Sequence, residues 1–280
     1  MKTNLTTKTI MAIVLALFTF NSFAQKSVYV KLGGGYNFGT TAALDGASND
    51  NTNGTVTSME RVKLAFGKGV NFGGTAGYMF NKYVGAELNI SYLLGGTTQV
   101  KSSEMSSSSS NLFTIDYSAK MLSFIPSIVI TPGFEKINPY ARFGMIMGIP
   151  TVTGKMESSY TFGGNSSTSN STIKLNGGLA VGFQSAIGID CKINDKFSVF
   201  GELTSTNLTY SPKKGEVIES KLDGVDNLAN LTTRDKKIEF VDSYSEDSSV
   251  MPDPNTSQKS IKPSLPFSSL GLNIGVVFHL

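Results

Sequence analysis

Alternation of apolar with small or polar residues is the clearest pattern in this chain, and its last eleven residues show it most regularly. The apolar positions are Leu270, Leu272, Ile274, Val276, Phe278 and Leu280, and the positions between them are Gly271, Asn273, Gly275, Val277 and His279. A two-residue period places these two sets on opposite faces of a β-strand. One apolar face and one small or polar face are typical of a barrel strand with lipid outside and a polar lumen inside.

The same alternation occurs in eight stretches, at 26–39, 68–80, 83–95, 112–131, 139–150, 173–190, 197–210 and 266–280. The connections at 81–82, 132–138 and 191–196 are short, whereas those at 40–67, 96–111, 151–172 and 211–265 are long and polar. Short periplasmic turns that alternate with long outer loops are typical of outer-membrane barrels. We therefore predict an all-β fold: an eight-stranded antiparallel up-and-down transmembrane β-barrel with four long outer loops, three short periplasmic turns and both mature termini in the periplasm.

The alternation also assigns faces. On the second strand it places Val70, Phe72, Ala76, Tyr78 and Phe80 toward lipid, and on the sixth it places Ile173, Leu175, Leu179, Val181, Phe183, Ile187 and Ile189 there. On the fourth strand the apolar phase changes between Met121 and Phe124, which predicts a bulge near Met121 and Leu122. The polar segments 102–111, 165–172 and 213–262 are too hydrophilic to build a core, so we expect mobile loops, with a helical turn or hairpin extension within 217–231.

The N-terminus carries the pattern of a secretory signal peptide. Lys2 and Lys8 precede the apolar run Ile10–Phe20, and small residues follow at the cleavage-site positions. We predict a signal peptide at 1–24 and one barrel domain at 25–280. With 24 basic and 21 acidic residues, the charge is too balanced to indicate a nucleic-acid partner. The single cysteine excludes an internal disulfide.

Four segments carry a family resemblance: Pro139-Tyr140-Ala141-Arg142-Phe143-Gly144, Gly177-Gly178-Leu179-Ala180-Val181-Gly182, Phe197-Ser198-Val199-Phe200-Gly201-Glu202-Leu203 and Leu270-Gly271-Leu272-Asn273-Ile274-Gly275-Val276. In these motifs the chain resembles the outer-membrane beta-barrel domain family and is similar to the OmpA transmembrane barrel. The resemblance covers the mature chain and implies eight antiparallel strands in the outer membrane. It implies no single activity, because the family includes structural proteins, adhesins and weak pores.

The assigned faces bring four charges into the lumen. Lys31, Glu87, Arg142 and Glu202 face inward on the four strands that leave the periplasmic side, and their signs alternate around the barrel. An eight-stranded barrel is just wide enough for side chains, so we predict that these residues form a salt-bridged charge layer across the lower lumen. The alternative is that each charge is hydrated separately. We predict a second polar layer nearer the outside, formed by Lys120, Lys174 and Asp116.

Other candidate sites have weaker patterns. His279, the only histidine, is expected inward at the periplasmic end as a polar filler rather than a catalytic base. Cys191 lies in a short turn beside lysines. The segment Asn49–Gly54 with Glu60 has the spacing of a calcium loop, but Asn49 replaces the first acidic ligand, so a flexible loop is favoured. Gly33, Gly34 and Gly35 open no helix, which excludes a nucleotide-binding loop.

The sequence therefore predicts a non-enzymatic outer-membrane protein without cofactor or metal. Its role is structural or one of surface interaction through the outer loops, with outer-membrane lipid, lipopolysaccharide and a protein or surface ligand as partners of a monomer. The first alternative is a small-solute or ion pore, which requires an open charge layer. The second is a secreted lipocalin-like barrel, which requires the apolar face to turn inward.

Overall fold

A computed structural model describes residues 28–40, 44–245 and 251–280 of the chain. The predicted signal peptide lies outside these residues. Eight strands form a ring: β1 (Val28–Gly39), β2 (Gly69–Met79), β3 (Val84–Gly95), β4 (Ser109–Ile130), β5 (Ile137–Phe162), β6 (Ala180–Lys192), β7 (Phe197–Tyr210) and β8 (Ser269–His279). Each pairs antiparallel with the next. β8 pairs with β1 from Tyr29↔His279 to Gly39↔Ser269 and closes the ring, so the predicted eight-stranded antiparallel barrel is confirmed.

The outer wall of the barrel is apolar. Exposed residues include Val70, Phe72 and Phe80 of the second predicted stretch, and Leu270, Leu272, Ile274, Val276 and Leu280 of the last. Ile274, for example, is 68% exposed, whereas its neighbour Asn273 faces the lumen and is 9% exposed. The two-residue period therefore separates an apolar outside from an inside that holds the polar residues, as predicted.

The sixth predicted stretch contains two strands instead of one. Asn165–Asn176 is a separate strand, and β6 begins only at Ala180. Gly177 and Gly178 between them have φ angles of 81° and 88°, in the left-handed region that interrupts an extended strand. Leu179 lies on the outer wall as predicted. The prediction that Ile173 and Leu175 also face lipid is wrong, because they belong to the separate strand, where Leu175 packs against the interior cluster.

β4 lacks the predicted bulge. Its register with β3 and with β5 stays constant past Met121 and Leu122. Met121 faces the interior together with Ile125 and Val129, and all three are buried. Between Met121 and Ile130, apolar residues occupy both faces of β4. This explains the change of apolar phase in the sequence without an inserted bulge residue.

Beyond one end of the ring the sheet continues as an extension sheet. Its strands, in spatial order, are Thr55–Leu64, Leu44–Thr52, Thr98–Met105, the far part of β4, the far part of β5, Asn165–Asn176, Lys214–Leu222, Lys237–Val241 and Gln258–Ile261. The pairings 44–52 with 98–105 and 237–241 with 258–261 are parallel. Of the polar segments predicted to be mobile loops, 102–111 and 165–172 are therefore largely strands, and 213–262 contains four strands.

Smaller elements complete the described chain. Val225–Asp226 pairs back on Lys214–Leu222, which supplies the predicted hairpin extension, and Leu265–Pro266 pairs with the end of β7. A 3₁₀ turn spans Leu228–Asn230 and a single helical turn spans Thr233–Lys236. Among the residues that the structure describes, no helix is long and apolar enough to cross a membrane.

Candidate functional site

The lumen of the barrel is divided into four levels. At the end with the short turns, an open vestibule of about 400 Å³ is lined by Tyr29, Asp190 and His279 among others. Next comes a layer of charged side chains, then a cavity of about 70 Å³ that polar residues line. Toward the extension sheet, a cluster of buried apolar side chains fills the barrel.

The structure brings together the four side chains assigned to the charge layer. Lys31 Nζ lies 2.7 Å from Glu87 Oε1, and Arg142 Nη2 lies 2.9 Å from Glu202 Oε1. Arg142 Nη1 also lies 3.5 Å from Glu87 Oε2, so Arg142 links the two carboxylates. The four residues are between 4% and 8% exposed. Each charge thus has an opposite charge in contact with it, and together they form one connected network.

Two tyrosines complete this network. The Tyr29 hydroxyl donates to Glu87 Oε1 at 2.6 Å, and the Tyr140 hydroxyl donates to Glu202 Oε2 at 3.0 Å. Lys31 Nζ lies 4.3 Å from the centroid of the Tyr140 ring, within cation–π range. Each carboxylate therefore accepts from both a cation and a hydroxyl, which satisfies buried charge better than a single ion pair does.

The local sequence explains why the tyrosines reach the carboxylates. Tyr29 and Tyr140 each precede a cation of the charge layer by two residues, so the strand period places ring and cation on the same inward face. Inward-facing Gly77 and Gly188 lie under the two rings, and a Cβ at either position would clash with them. Neither tyrosine is among the residues predicted for the charge layer, although the Tyr-x-Lys and Tyr-x-Arg spacing is a usable signal for them.

The predicted second polar layer is not formed. Lys120 is exposed on the outer face of β4, and Asp116 accepts a hydrogen bond from Gln99 on the extension sheet. Lys174 lies on the separate strand Asn165–Asn176. Without the predicted bulge in β4, and with the double-glycine break before β6, the observed phase differs by one residue from the predicted phase. A one-residue difference places a side chain on the opposite face of the sheet.

An apolar cluster fills the level where that layer was expected. Its buried members are Phe66, Leu93, Ala119, Met121, Ile125, Ile146, Val152, Ala180, Leu208, Tyr210, Leu265 and Phe267. Phe66 and Phe267 come from two different connections and stack with centroids 5.8 Å apart. The Phe66 N–H donates to the Pro266 carbonyl, and the Phe267 N–H donates to the Leu208 carbonyl, both at 2.9 Å. Both connections are thereby fixed inside the barrel mouth.

The polar cavity lies between the apolar cluster and the charge layer. Short polar side chains line it, among them Asn71, Thr75, Asn89 and Thr204. Asn89 donates to Thr75 at 2.8 Å, and Asn273 donates to Thr204 at 3.3 Å. A volume of about 70 Å³ is room for only a few water molecules.

The remaining candidate residues occupy ordinary structural positions. His279 Nε2 lies 2.9 Å from Ser198 Oγ at the vestibule end, and Ser198 is 2% exposed. Cys191 is a partly buried free thiol at the end of β6. Asn53 and Gly54 have positive φ angles of 49° and 78°, as a tight hairpin turn requires, so the calcium-like segment is the tip of a β-hairpin. Within the described ranges, no three His, Cys, Asp or Glu residues are grouped so as to hold a metal ion.

The closed ring, its apolar outer wall and the charge layer inside it define the class, and comparison with known families agrees. The family model described as "Outer membrane protein beta-barrel domain" matches residues 10–231, and the chain belongs to this family. It is therefore an outer-membrane β-barrel protein whose strands cross the membrane.

Two solved structures are similar to this chain. Acinetobacter baumannii CarO2 is 14% identical with a TM-score of 0.31, and the match covers 90% of this chain and 99% of that one. Acinetobacter baumannii CarO is 14% identical with a TM-score of 0.29, covering 89% and 97%. No curated protein matches the sequence.

Proposed function

We propose that this protein is a closed, non-enzymatic outer-membrane barrel that acts as a structural or surface-interaction protein through its extension sheet. The division of the lumen carries the proposal. The charge layer and the apolar cluster lie in series along the lumen, with a cavity of only about 70 Å³ between them. A path for solutes would have to cross both an ionic and an apolar barrier.

The vestibule supports a non-enzymatic role. Ser198 and His279 form the one Ser–His contact among the described residues, yet Ser198 is buried behind the histidine and does not line the vestibule. An acyl-transfer enzyme needs a nucleophile that a substrate can reach. The geometry favours a hydrogen bond that fixes the end of β8 against β7.

We also propose that the short turns and both barrel termini face the periplasm, with the extension sheet outside the cell. The asymmetry of the connections supports this, because outer-membrane barrels carry short periplasmic turns and longer extracellular segments. A cysteine at the tip of β5 (Phe162→Cys) and one at a short turn (Ile193→Cys), each combined with Cys191→Ser, test it. A membrane-impermeant maleimide should label the first on intact cells and the second only after the outer membrane is opened. The reverse labelling would refute this orientation.

Recordings on the refolded full chain in planar bilayers separate the closed barrel from the pore, which is the alternative function. We expect no stable unit conductance, because each barrier on its own blocks the lumen. A reproducible unit conductance from the unmodified chain would instead establish the pore and would show that both barriers are mobile.

A further inference from the structure

Six lysines lie immediately beyond the outward apolar wall at the extended end of the barrel: Lys68, Lys120, Lys174, Lys213, Lys214 and Lys237. We propose that this lysine strip binds the phosphate groups of an outer-leaflet lipid whose headgroup carries several phosphates, as lipopolysaccharide does. The inference rests on the orientation proposed above and names the lipid partner of that end of the barrel.

Strand register sets the height of the strip. Leu122 and Ile149 form a cross-strand pair at the upper edge of the apolar wall, and Lys120 is two residues beyond Leu122 on the same face. Lys174 pairs with Thr153, which is four residues beyond Ile149. At about 3.3 Å per residue, these lysines begin roughly 7–13 Å past the last apolar row, measured along tilted strands. With a strand tilt of about 35–45°, this contour corresponds to roughly 5–10 Å of height, so the strip lies at and just above the headgroup layer, which is roughly 5–7 Å thick on each side of the membrane.

The strip faces outward, toward the surrounding lipid. Ala119 and Met121, on either side of Lys120, are buried in the lumen, so Lys120 points the other way. Lys174 pairs with Glu216, which pairs in turn with Lys237, and the alternating residues Leu175, Gly215 and Ile238 face the opposite side. The stem of Lys213 lies against Gly178, next to the exposed Leu179 of the wall.

Charge on the outer face of the extension sheet changes with height. In the rows that hold the strip, the carboxylates are Glu216 and Glu239, and Glu239 also pairs with Lys259; the adjacent Lys262 and Asp242 form an ion pair with each other. In the rows farther from the barrel the signs balance, with Lys101, Lys155 and Lys221 against Asp116, Glu157 and Glu219. In the described part of the chain, no lysine of the strip lies within ion-pair distance of a carboxylate.

The strip follows the extended end of the barrel from β2 to the start of β6, and four of its lysines, Lys174, Lys213, Lys214 and Lys237, lie together at one end of it. At the extended ends of β1, β7 and β8, the outward residues are uncharged: Phe38, Ser205, Asn207, Thr209 and Leu270. A general attraction to the membrane surface would not require four lysines to lie together. A lysine ammonium is a compact cation suited to phosphate, so the group of Lys174, Lys213, Lys214 and Lys237 fits one headgroup with several phosphates.

Native mass spectrometry of the full chain in an uncharged detergent, with bisphosphorylated lipid A as the probe, tests the proposal. Lys120, Lys174, Lys214 and Lys237 are replaced together by Gln. A matched control replaces Lys63, Lys101, Lys155 and Lys221, which lie outside the strip on the extension sheet. We expect the strip variant to bind the lipid at least about tenfold more weakly, and the control to stay within about twofold of the unmodified chain.

Two further measurements keep the test decisive if the strip variant folds poorly. On the unmodified chain, lipid A stripped of its phosphates should bind far more weakly, and salt should weaken binding of the phosphorylated lipid. Equal losses in the two variants, equal binding of the two lipids, or binding that is insensitive to salt would each overturn the phosphate site. A detergent micelle does not distinguish the periplasmic from the extracellular end of the barrel. An incorrect membrane orientation would therefore be detected only by the maleimide labelling. That result would overturn the outer-leaflet assignment while leaving phosphate binding intact.

Discussion

The four residues of the charge layer are stable inside the lumen because each has an opposite charge in contact with it. Glu87 accepts from Tyr29 and pairs with Lys31 and Arg142, while Glu202 accepts from Tyr140 and pairs with Arg142. Arg142 is the one residue that contacts both carboxylates. Its loss would therefore leave Glu202 without a cation and Glu87 with only one.

Replacing Arg142 by Ala should destabilise the barrel by about 3–5 kcal/mol, because a buried charge loses its partner. Equilibrium urea unfolding of the refolded chain in detergent micelles measures the change. Lys192→Ala is the matched control, since it removes an exposed ion pair with Asp195 and should cause no measurable loss. Equal stability of the two variants would contradict a structural role for the charge layer.

At the residue scale, the sequence correctly predicts which face of the sheet a side chain occupies when its strand has an uninterrupted two-residue period. Lys31, Glu87, Arg142 and Glu202 lie in strands whose phase is uninterrupted, and the structure brings all four together. The faces predicted for Lys120 and Lys174 are wrong, because the bulge expected near Met121 is absent and the expected continuous strand is broken at Gly177 and Gly178. The periodicity gives no information about Phe66, which lies in a predicted connection. Phe267 lies within the predicted stretch 266–280, but its stacking on Phe66 at the barrel mouth is a tertiary contact that periodicity does not register.

At the scale of elements, the extension sheet shows how polar strands can be ordered without a core of their own. Their ladders continue those of β4 and β5, so the barrel supplies the template on which they pair. Composition alone predicts mobility for such Ser- and Asn-rich segments, because they lack the apolar residues of a core. Composition contains no information on the ordered barrel strand with which each segment can pair. Cross-strand contacts such as that of Glu219 with Thr172 add to the pairing.

Glu219 should titrate below the ordinary range of a glutamate. The hydrogen bond from Lys221 lowers its pKa most, and the hydrogen bond from Thr172 has the next largest effect. Because the pKa is lower in the folded chain than in the unfolded one, Glu219 stabilises the sheet fully above the ordinary glutamate pKa. This stabilisation is lost as the pH falls through the folded value. Carbon-13 NMR titration should show Lys221→Met raising the pKa more than Thr172→Val does; the opposite order would contradict the assignment.

The double-glycine break gives a second prediction at this scale. Gly178 has a φ of 88°, so Gly178→Ala should cost about 1–2 kcal/mol in a conformation that L-residues avoid. Gly201→Ala is the control, because that residue has no positive φ and a Cβ there meets nothing within 4 Å. Urea unfolding compares the two variants. If both leave the midpoint unchanged, the break does not depend on glycine.

At the scale of the whole molecule, two barriers of different chemistry close one lumen. Lys31 lines both the vestibule and the polar cavity, so the charge layer separates these two spaces. Leu93, Met121 and Phe267 of the apolar cluster line the far side of the cavity, and Phe66 stacks on Phe267. Since the barriers lie in series, opening one of them leaves the other closed.

Conductance should therefore appear only when both barriers are removed. Lys31→Ala with Glu87→Ala removes a complete ion pair and leaves Arg142 paired with Glu202, while Phe66→Ala with Phe267→Ala opens the apolar barrier. Each double variant should remain silent in planar bilayers, and the quadruple variant should conduct. Circular dichroism checks that all three variants are folded. A conducting double variant would show that the barrier left in place does not block ions.

β5 runs without interruption for 26 residues, from a short turn to the tip of the extension sheet. At about 3.3 Å per residue, its contour is on the order of 85 Å, more than twice the thickness of the hydrocarbon core. Arg142 and Tyr160 thus lie on one continuous strand. Whatever touches the tip meets a surface held at a fixed height and angle by the same ladder that anchors the interior ion pairs.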